Sequence, residues 1–241
     1  MSLCEIRNLT KYFGGLGAVK EFDLDIAESE ILGLIGPNGS GKTTLFNVIS
    51  GVYRPSSGSI LFNDENIVGK SPHYICRKQI ARTFQLTKIL ERLTVFENVL
   101  VGALYRSKNL SAARLETKTW LEFIGLVEKK DLYSESLTYS ECKRLDIARA
   151  LATRPQLLLL DEPLGGLNAR EVLDFCDLIK EIHKSGVTIV IVEHVMKGVM
   201  SLSQRIVVIN QGEKIAEGSP EQVVSNEDVI KAYLGSAYAA G

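Results

Sequence analysis

Gly36-Pro-Asn-Gly-Ser-Gly41-Lys42-Thr43 decides how the rest of the chain is read. It follows Ile31-Leu-Gly-Leu-Ile35, a short apolar run of strand character, and it precedes Thr44 to Ser50, whose apolar residues have helical spacing. The pattern G-x-x-x-x-G-K-[ST] between a strand and a helix is that of a phosphate-binding loop. Its glycines let the backbone curl until successive N–H groups face one anion, and the helix N-terminus adds a partial positive charge. Lys42 is then placed to bridge the β- and γ-phosphates of a nucleotide, and the Thr43 hydroxyl to ligate Mg²⁺.

Outward from this loop the chain alternates between buried strands and helices. Leu157 to Leu160, Ile189 to Val192 and Ile206 to Ile209 are apolar on both faces, as expected of strands inside a parallel sheet. Leu45, Phe46, Val48 and Ile49 make one helical face, stopped by Gly51; Leu173, Leu178, Ile179 and Ile182 make another, stopped by Gly186. The spacing therefore predicts an α/β fold. Near the N-terminus, Phe22, Leu24 and Ile26 alternate with Glu21, Asp23 and Asp25, which suits an antiparallel sheet with one wet face, and Gly58 reads as a turn before a strand at Ile60 to Phe62. Thr94 to Thr153 contains no buried-strand run. Phe96, Val99, Leu100 and Leu104, then Trp120, Leu121, Ile124 and Leu126, then a helix from about Glu141 with Leu145, Ala148, Leu151 and Ala152 on one face, predict an inserted helical subdomain.

Composition limits the classes. The chain has 241 residues, 45% apolar and 24% charged, with a formal net charge of −1. This is ordinary for a folded domain and supplies no overall positive field for nucleic acid. No apolar run approaches the ~18 residues that span a bilayer. Met1-Ser-Leu-Cys-Glu-Ile-Arg carries charges where a signal peptide needs its apolar segment, so a cytosolic chain is expected. Cys4, Cys76, Cys142 and Cys176 are scattered without a Cys-x-x-Cys pair and read as reduced thiols.

Leu157-Leu-Leu-Leu-Asp161-Glu162-Pro163 puts two carboxylates at the C-terminal end of a buried strand, the edge at which α/β sheets bind ligands. Asp161 can hold Mg²⁺ through water, and Glu162 can polarise an attacking water. Further elements follow in a fixed order: Phe13 in Lys11-Tyr-Phe13-Gly, Gln85 in Arg82-Thr-Phe-Gln85, Leu137-Thr-Tyr-Ser-Glu-Cys-Lys-Arg144, Leu164-Gly-Gly-Leu-Asn168, and His194 after the strand at Ile189 to Val192. Each alone has an ordinary reading as a surface side chain, a core aromatic or a strand cap. As an ordered set they resemble the ATP-binding-cassette (ABC) ATPases over nearly the whole chain.

That resemblance implies a RecA-like P-loop NTPase core (residues 1–87 and 154–241) in a single ABC ATPase domain, with an N-terminal antiparallel β subdomain and an inserted helical and signature subdomain (88–153). It implies ATP bound by Phe13, by Gly36, Pro37, Asn38, Gly39, Ser40, Gly41, Lys42, Thr43 and Thr44, and by Gln85. Mg²⁺ would sit on Thr43, Gln85 and Asp161, and hydrolysis would use Glu162 and His194. Thr138, Tyr139, Ser140 and Glu141 look like the family's signature, which closes over ATP held by another subunit, so a second ABC ATPase subunit, different or identical, is implied. Glu193-His-Val-Met-Lys-Gly-Val-Met200, Arg205 to Pro220 and Val229 to Leu234 resemble the ATPases of branched-chain amino-acid importers, a group shared with importers of other small amides. Two membrane permeases and a peripheral place on the cytoplasmic face of the membrane are implied, with no nucleic-acid partner. A GTPase would need Asn-Lys-x-Asp, and a cassette acting on DNA or ribosomes a coiled-coil insertion or a second cassette; neither is present.

The signature departs from the family's usual Leu-Ser-Gly-Gly-Gln. Thr138-x-x-Glu141 is a capping box, as Ser-x-x-Gln would be. Ser140 replaces a glycine. Its Cβ would stand where a glycine lets backbone N–H groups approach a partner's γ-phosphate, and a positive φ there would add strain on the order of 1 kcal/mol; Ser140→Gly would then speed turnover, whereas a serine hydroxyl donating to phosphate would make the variant slower. A weakly active, regulatory cassette is the competing reading.

Overall fold

A computed structural model describes residues 2–85 and 88–234. Met1 and the expected boundary at residue 87 lie outside them. In chain order the strands are β1 (Ser2–Phe13), β2 (Leu16–Ala27), β3 (Ile31–Ile35), β4 (Ser57–Phe62), β5 (Glu65–Asn66), β6 (Ile80–Arg82), β7 (Leu157–Asp161), β8 (Thr188–Val192), β9 (Arg205–Asn210) and β10 (Glu213–Gly218). The helices are α1 (Lys42–Ile49), α2 (Pro72–Arg77), α3 (Val95–Arg106), α4 (Leu110–Phe123), α5 (Tyr139–Leu151), α6 (Ala169–Lys184), α7 (Met196–Leu202), α8 (Pro220–Val224) and α9 (Glu227–Leu234).

The strands form two sheets. One is antiparallel, in the order β2-β1-β4-β5. The other runs β10-β9-β3-β8-β7-β6 and is parallel except at β10. The apolar runs at β7 and β8 are buried throughout, because helices cover both faces of this sheet. Each fully buried leucine from Leu157 to Leu160 contributes roughly 1.5–3 kcal/mol of hydrophobic stabilisation. On the antiparallel sheet Phe22, Leu24 and Ile26 are buried and their neighbours Glu21, Asp23 and Asp25 exposed, as the alternation predicts.

Two local expectations change. Gly58 is not a turn ahead of its strand but lies inside β4 at φ +92°, against the backbone of Asn8 and Leu9, where a Cβ would collide. Leu173 is 66% exposed. At 100° per residue it points about 140° away from Leu178, so Phe175 and Cys176 complete the buried face of α6 with Leu178, Ile179 and Ile182. The helical segment comprises α3, α4 and α5, inserted between the paired strands β6 and β7. Leu145, Ala148, Leu151 and Ala152 are its buried α5 face. The four cysteines are not disulfide-bonded. Among the described residues no helix is long and apolar enough to cross a membrane.

Candidate active site

Strands β3, β8, β7 and β6 are consecutive parallel neighbours, so their C-terminal ends open on one edge. The phosphate-loop sequence leaves β3, His194 follows β8, Asp161 ends β7 with Glu162 next, and Gln85 lies just after β6. A cleft of about 830 Å³ lies at this edge. It is lined by Phe13, by Asn38 to Thr44, by Gln85 and Glu162, and by Lys20 and Gln211. Phe13 is 42% exposed, makes a T-shaped pair with Tyr53 with ring centres 5.3 Å apart, and has the Lys11 ammonium 4.9 Å from its ring centre.

The loop is shaped by its own surroundings. Gly41 caps α1 at φ +113°. A Cβ on Gly36 would overlap the Ile209 carbonyl oxygen, and one on Gly41 the Ala18 carbonyl oxygen. The Gly212 N–H donates to the Ser40 carbonyl at 2.9 Å, and the Lys20 N–H donates to the Gly212 carbonyl at 2.8 Å, so the β9–β10 turn braces the loop against β2. The Lys42 ammonium donates to the carbonyls of Gly36 at 2.8 Å and Pro37 at 2.9 Å. Burial lowers the Lys42 pKa, opposed by the charges of Glu162 and Asp161. A half-desolvated cation with only carbonyl and hydroxyl partners readily exchanges them for anionic oxygens.

The carboxylates differ in role and setting. Asp161 Oδ2 accepts from Arg82 at 2.7 Å in a buried ion pair, and Arg82 also donates to Asn47 Oδ1 at 2.6 Å. Asp161 Oδ1 is buried with no hydrogen-bond partner among the described residues. Burial raises the Asp161 pKa, and Arg82 pulls it back. An unpartnered buried carboxylate oxygen is costly on its own and suits a cation or its water shell, so the residues present fit Mg²⁺. Glu162 has φ +49°, a strained conformation for a non-glycine residue. Its N–H donates to the Val192 carbonyl at 2.9 Å. Its carboxylate accepts from the Gln85 amide at 2.8 Å and lies 3.5 Å from His194 Nδ1. Gln85, Glu162 and His194 thus meet around one carboxylate.

Thr138, Tyr139, Ser140 and Glu141 are not among the residues lining this cleft. They form the start of α5, and both bonds of the Thr138–Glu141 capping box are present. Ser140 is the second residue of that helix and is not among the residues with positive φ. The backbone strain expected there is therefore absent. Tyr139 packs on Gly166, where a Cβ would sit 2.9 Å from the ring.

Sequence reasoning missed Arg82, Lys143, Glu193 and the Gln211–Gly212 turn. Glu193 is fully buried, and its carboxylate accepts from the backbone N–H groups of Leu164, His194 (3.0 Å) and Val195 (3.3 Å), tying the Leu164–Asn168 turn to the end of β8. Burial raises its pKa. A carboxylate directly after an apolar strand was the available signal for it.

Comparison with known proteins agrees with this geometry. The ABC transporter family profile matches residues 19–165, and a profile described as branched-chain amino acid ATP-binding cassette transporter matches residues 213–239. The chain is 41% identical to the high-affinity branched-chain amino acid transport ATP-binding protein LivG of Escherichia coli K12, over 98% of each chain. It is 42% identical to the corresponding protein BraF of Pseudomonas aeruginosa, again over 98% of each. The crystal structure of a nucleotide-free ATP-binding cassette from an ABC transporter superposes with a TM-score of 0.88 at 30% identity, covering 98% of this chain and all of that one. The two-sheet core with its inserted helices is thus the RecA-like cassette fold. On profile, identity and fold alike, the chain belongs to the ABC transporter family, as one of its ATP-hydrolysing subunits.

Proposed function

We propose that the chain powers an importer of branched-chain amino acids. It would work as a pair with a second ATPase subunit, different or identical, beneath two membrane permeases on the cytoplasmic face of the membrane. The observation that carries the chemistry is the convergence of Lys42, the open oxygen of Asp161 and the Glu162 carboxylate at one sheet edge. The substrate reading rests on the likeness to LivG and BraF.

In this reading Phe13 stacks on adenine, and the backbone of Gly36 to Thr44, with Lys42, holds the phosphates. The Thr43 hydroxyl, Asp161 and Gln85 would hold Mg²⁺, which neutralises charge on the phosphate oxygens. Glu162 takes a proton from the attacking water, and His194, whose Nδ1 lies 3.5 Å from that carboxylate, contacts the reacting phosphate from the same edge. Thr138 to Glu141, outside the cleft of their own chain, close over the partner's ATP. Residues 88–153 form the arm that passes closure to the permeases, a population shift driven by nucleotide.

Labelled-substrate uptake in cells lacking this gene tests the substrate. Leucine, isoleucine and valine uptake at low external concentration should fall to background and return when the gene is restored, while urea uptake is unchanged. Loss of urea uptake instead would assign a small-amide importer, and no change in either would favour a regulatory cassette.

A further inference from the structure

Lys143 lies on α5, one turn beyond Tyr139, and is only 5% exposed. A buried lysine on the helix that carries the signature has no part in the phosphate loop. Among the described residues its ammonium makes one hydrogen bond, to the carbonyl oxygen of Glu162, at 2.8 Å. It also lies 5.2 Å from the centre of the Tyr139 ring. The same Glu162 has φ +49°. Its N–H is held by the Val192 carbonyl, and its C=O accepts from the Lys143 ammonium at 2.8 Å and, less closely, from the Gly165 N–H at 3.3 Å. Both backbone groups of this strained residue are therefore tied to other elements, one to β8 and the other to α5.

We propose that Lys143 is a positioning residue that fixes the Glu162 backbone, and hence the direction of its carboxylate, and makes that direction depend on how the signature end of α5 is seated. The proposal rests on Glu162 acting as the general base. A side chain on a fixed backbone can be aimed only as well as its own φ and ψ are held, and a left-handed glutamate is held less firmly once the shorter of its two carbonyl bonds, the one to α5, is lost and only the Gly165 N–H of its own turn remains. Tyr139 lies between the two functions: its ring packs on Gly166 and faces the Lys143 ammonium. A shift of the signature end over a partner's nucleotide therefore pulls on the catalytic turn of its own chain. The alternative role for Lys143 is charge balance. Burial lowers its pKa, and the carboxylates of Glu193, Glu162, Asp146 and Asp161 oppose that shift. Charge balance alone would leave the direction of Glu162 unaffected.

The test uses the full chain in its complex, purified through a tag on this subunit, with Lys143→Met, Lys143→Arg and Glu162→Gln measured side by side. Lys143→Met should bind Mg-ATP within about threefold of wild type while its kcat falls roughly tenfold or more, the scale of an ångström-size misplacement. Lys143→Arg keeps a donor at the end of a long chain and should recover at least about a third of the lost rate, since positioning needs one hydrogen bond. If Lys143→Met does not fold, Lys143→Met/Glu193→Gln removes both buried charges and is judged by the same criteria against Glu193→Gln alone, since Glu193 itself holds the Leu164 and His194 backbone. Wild-type turnover in Lys143→Met beside a slow Glu162→Gln overturns the proposal and leaves the general base standing. Loss of ATP affinity together with turnover in both Lys143 variants also overturns it, because the residue would then serve the fold. Normal turnover in Glu162→Gln removes the general base, and the proposal with it.

Discussion

Glu162→Gln is expected to bind Mg-ATP like the wild type and to hydrolyse it at least ~100-fold more slowly, the low end for loss of a general base. The substitution is nearly isosteric, and the glutamine carbonyl can still accept the Gln85 amide that now donates to Glu162 at 2.8 Å. The φ of +49° and the bonds to Val192 and Lys143 involve the backbone and remain. What disappears is the proton acceptor. Uncleaved ATP should then hold two cassettes together, so light scattering should report an ATP-dependent dimer that outlasts the wild-type one. Near-normal phosphate release from the variant would reduce Asp161-Glu162 to a strand-end turn.

Lys42→Ala should lose ~100-fold or more in ATP affinity. A charge-assisted hydrogen bond contributes roughly 1.5–3 kcal/mol, and two bonds to phosphate oxygens suffice for that factor, at 1.4 kcal/mol per tenfold. The variant also removes the donor to the Gly36 and Pro37 carbonyls. The Pro37 carbonyl keeps the Ser40 N–H, but leaving the buried Gly36 carbonyl without its Lys42 donor costs about 1–3 kcal/mol of stability, so a lower melting temperature is expected as well. Isothermal titration at a temperature where the variant is folded separates the two effects. Wild-type affinity there would remove Lys42 from the nucleotide site.

Much of this was legible locally. The phosphate loop needs only its own glycines, its lysine and its flanking strand and helix. The runs in β7, β8 and β9 needed only to be apolar on both faces. Leu173 was misplaced because a hydrophobic count ignores the 140° between it and Leu178. Ser140 was misjudged for a related reason. The capping box at Thr138 and Glu141 already placed residue 140 in a helical turn, and that is incompatible with a positive φ. Lys143, Arg82 and Glu193 were missed for a different cause. Their meaning lies in partners far along the chain: Glu162 for Lys143, Asp161 for Arg82 and Leu164 for Glu193. A charged residue in a helix or at a strand end reads as solvated until the fold brings its partner to it.

Gly36 and Gly41 are hemmed in by the carbonyl oxygens of Ile209 and Ala18 before any nucleotide arrives, whereas Gly39, at φ +78°, has nothing within 4 Å of a would-be Cβ among the described residues. Mutational tolerance should therefore divide three residues that one motif treats alike. In a library of single variants scored only for soluble abundance, positions 36 and 41 should stay glycine. Position 39 should admit asparagine, which visits the left-handed region at little cost. Depletion of every substitution at 39 from the soluble pool would contradict this. Of the motif's glycines, one is thus owned by the sheet that carries the loop and one by the antiparallel sheet beside it, and the third answers to phosphate alone.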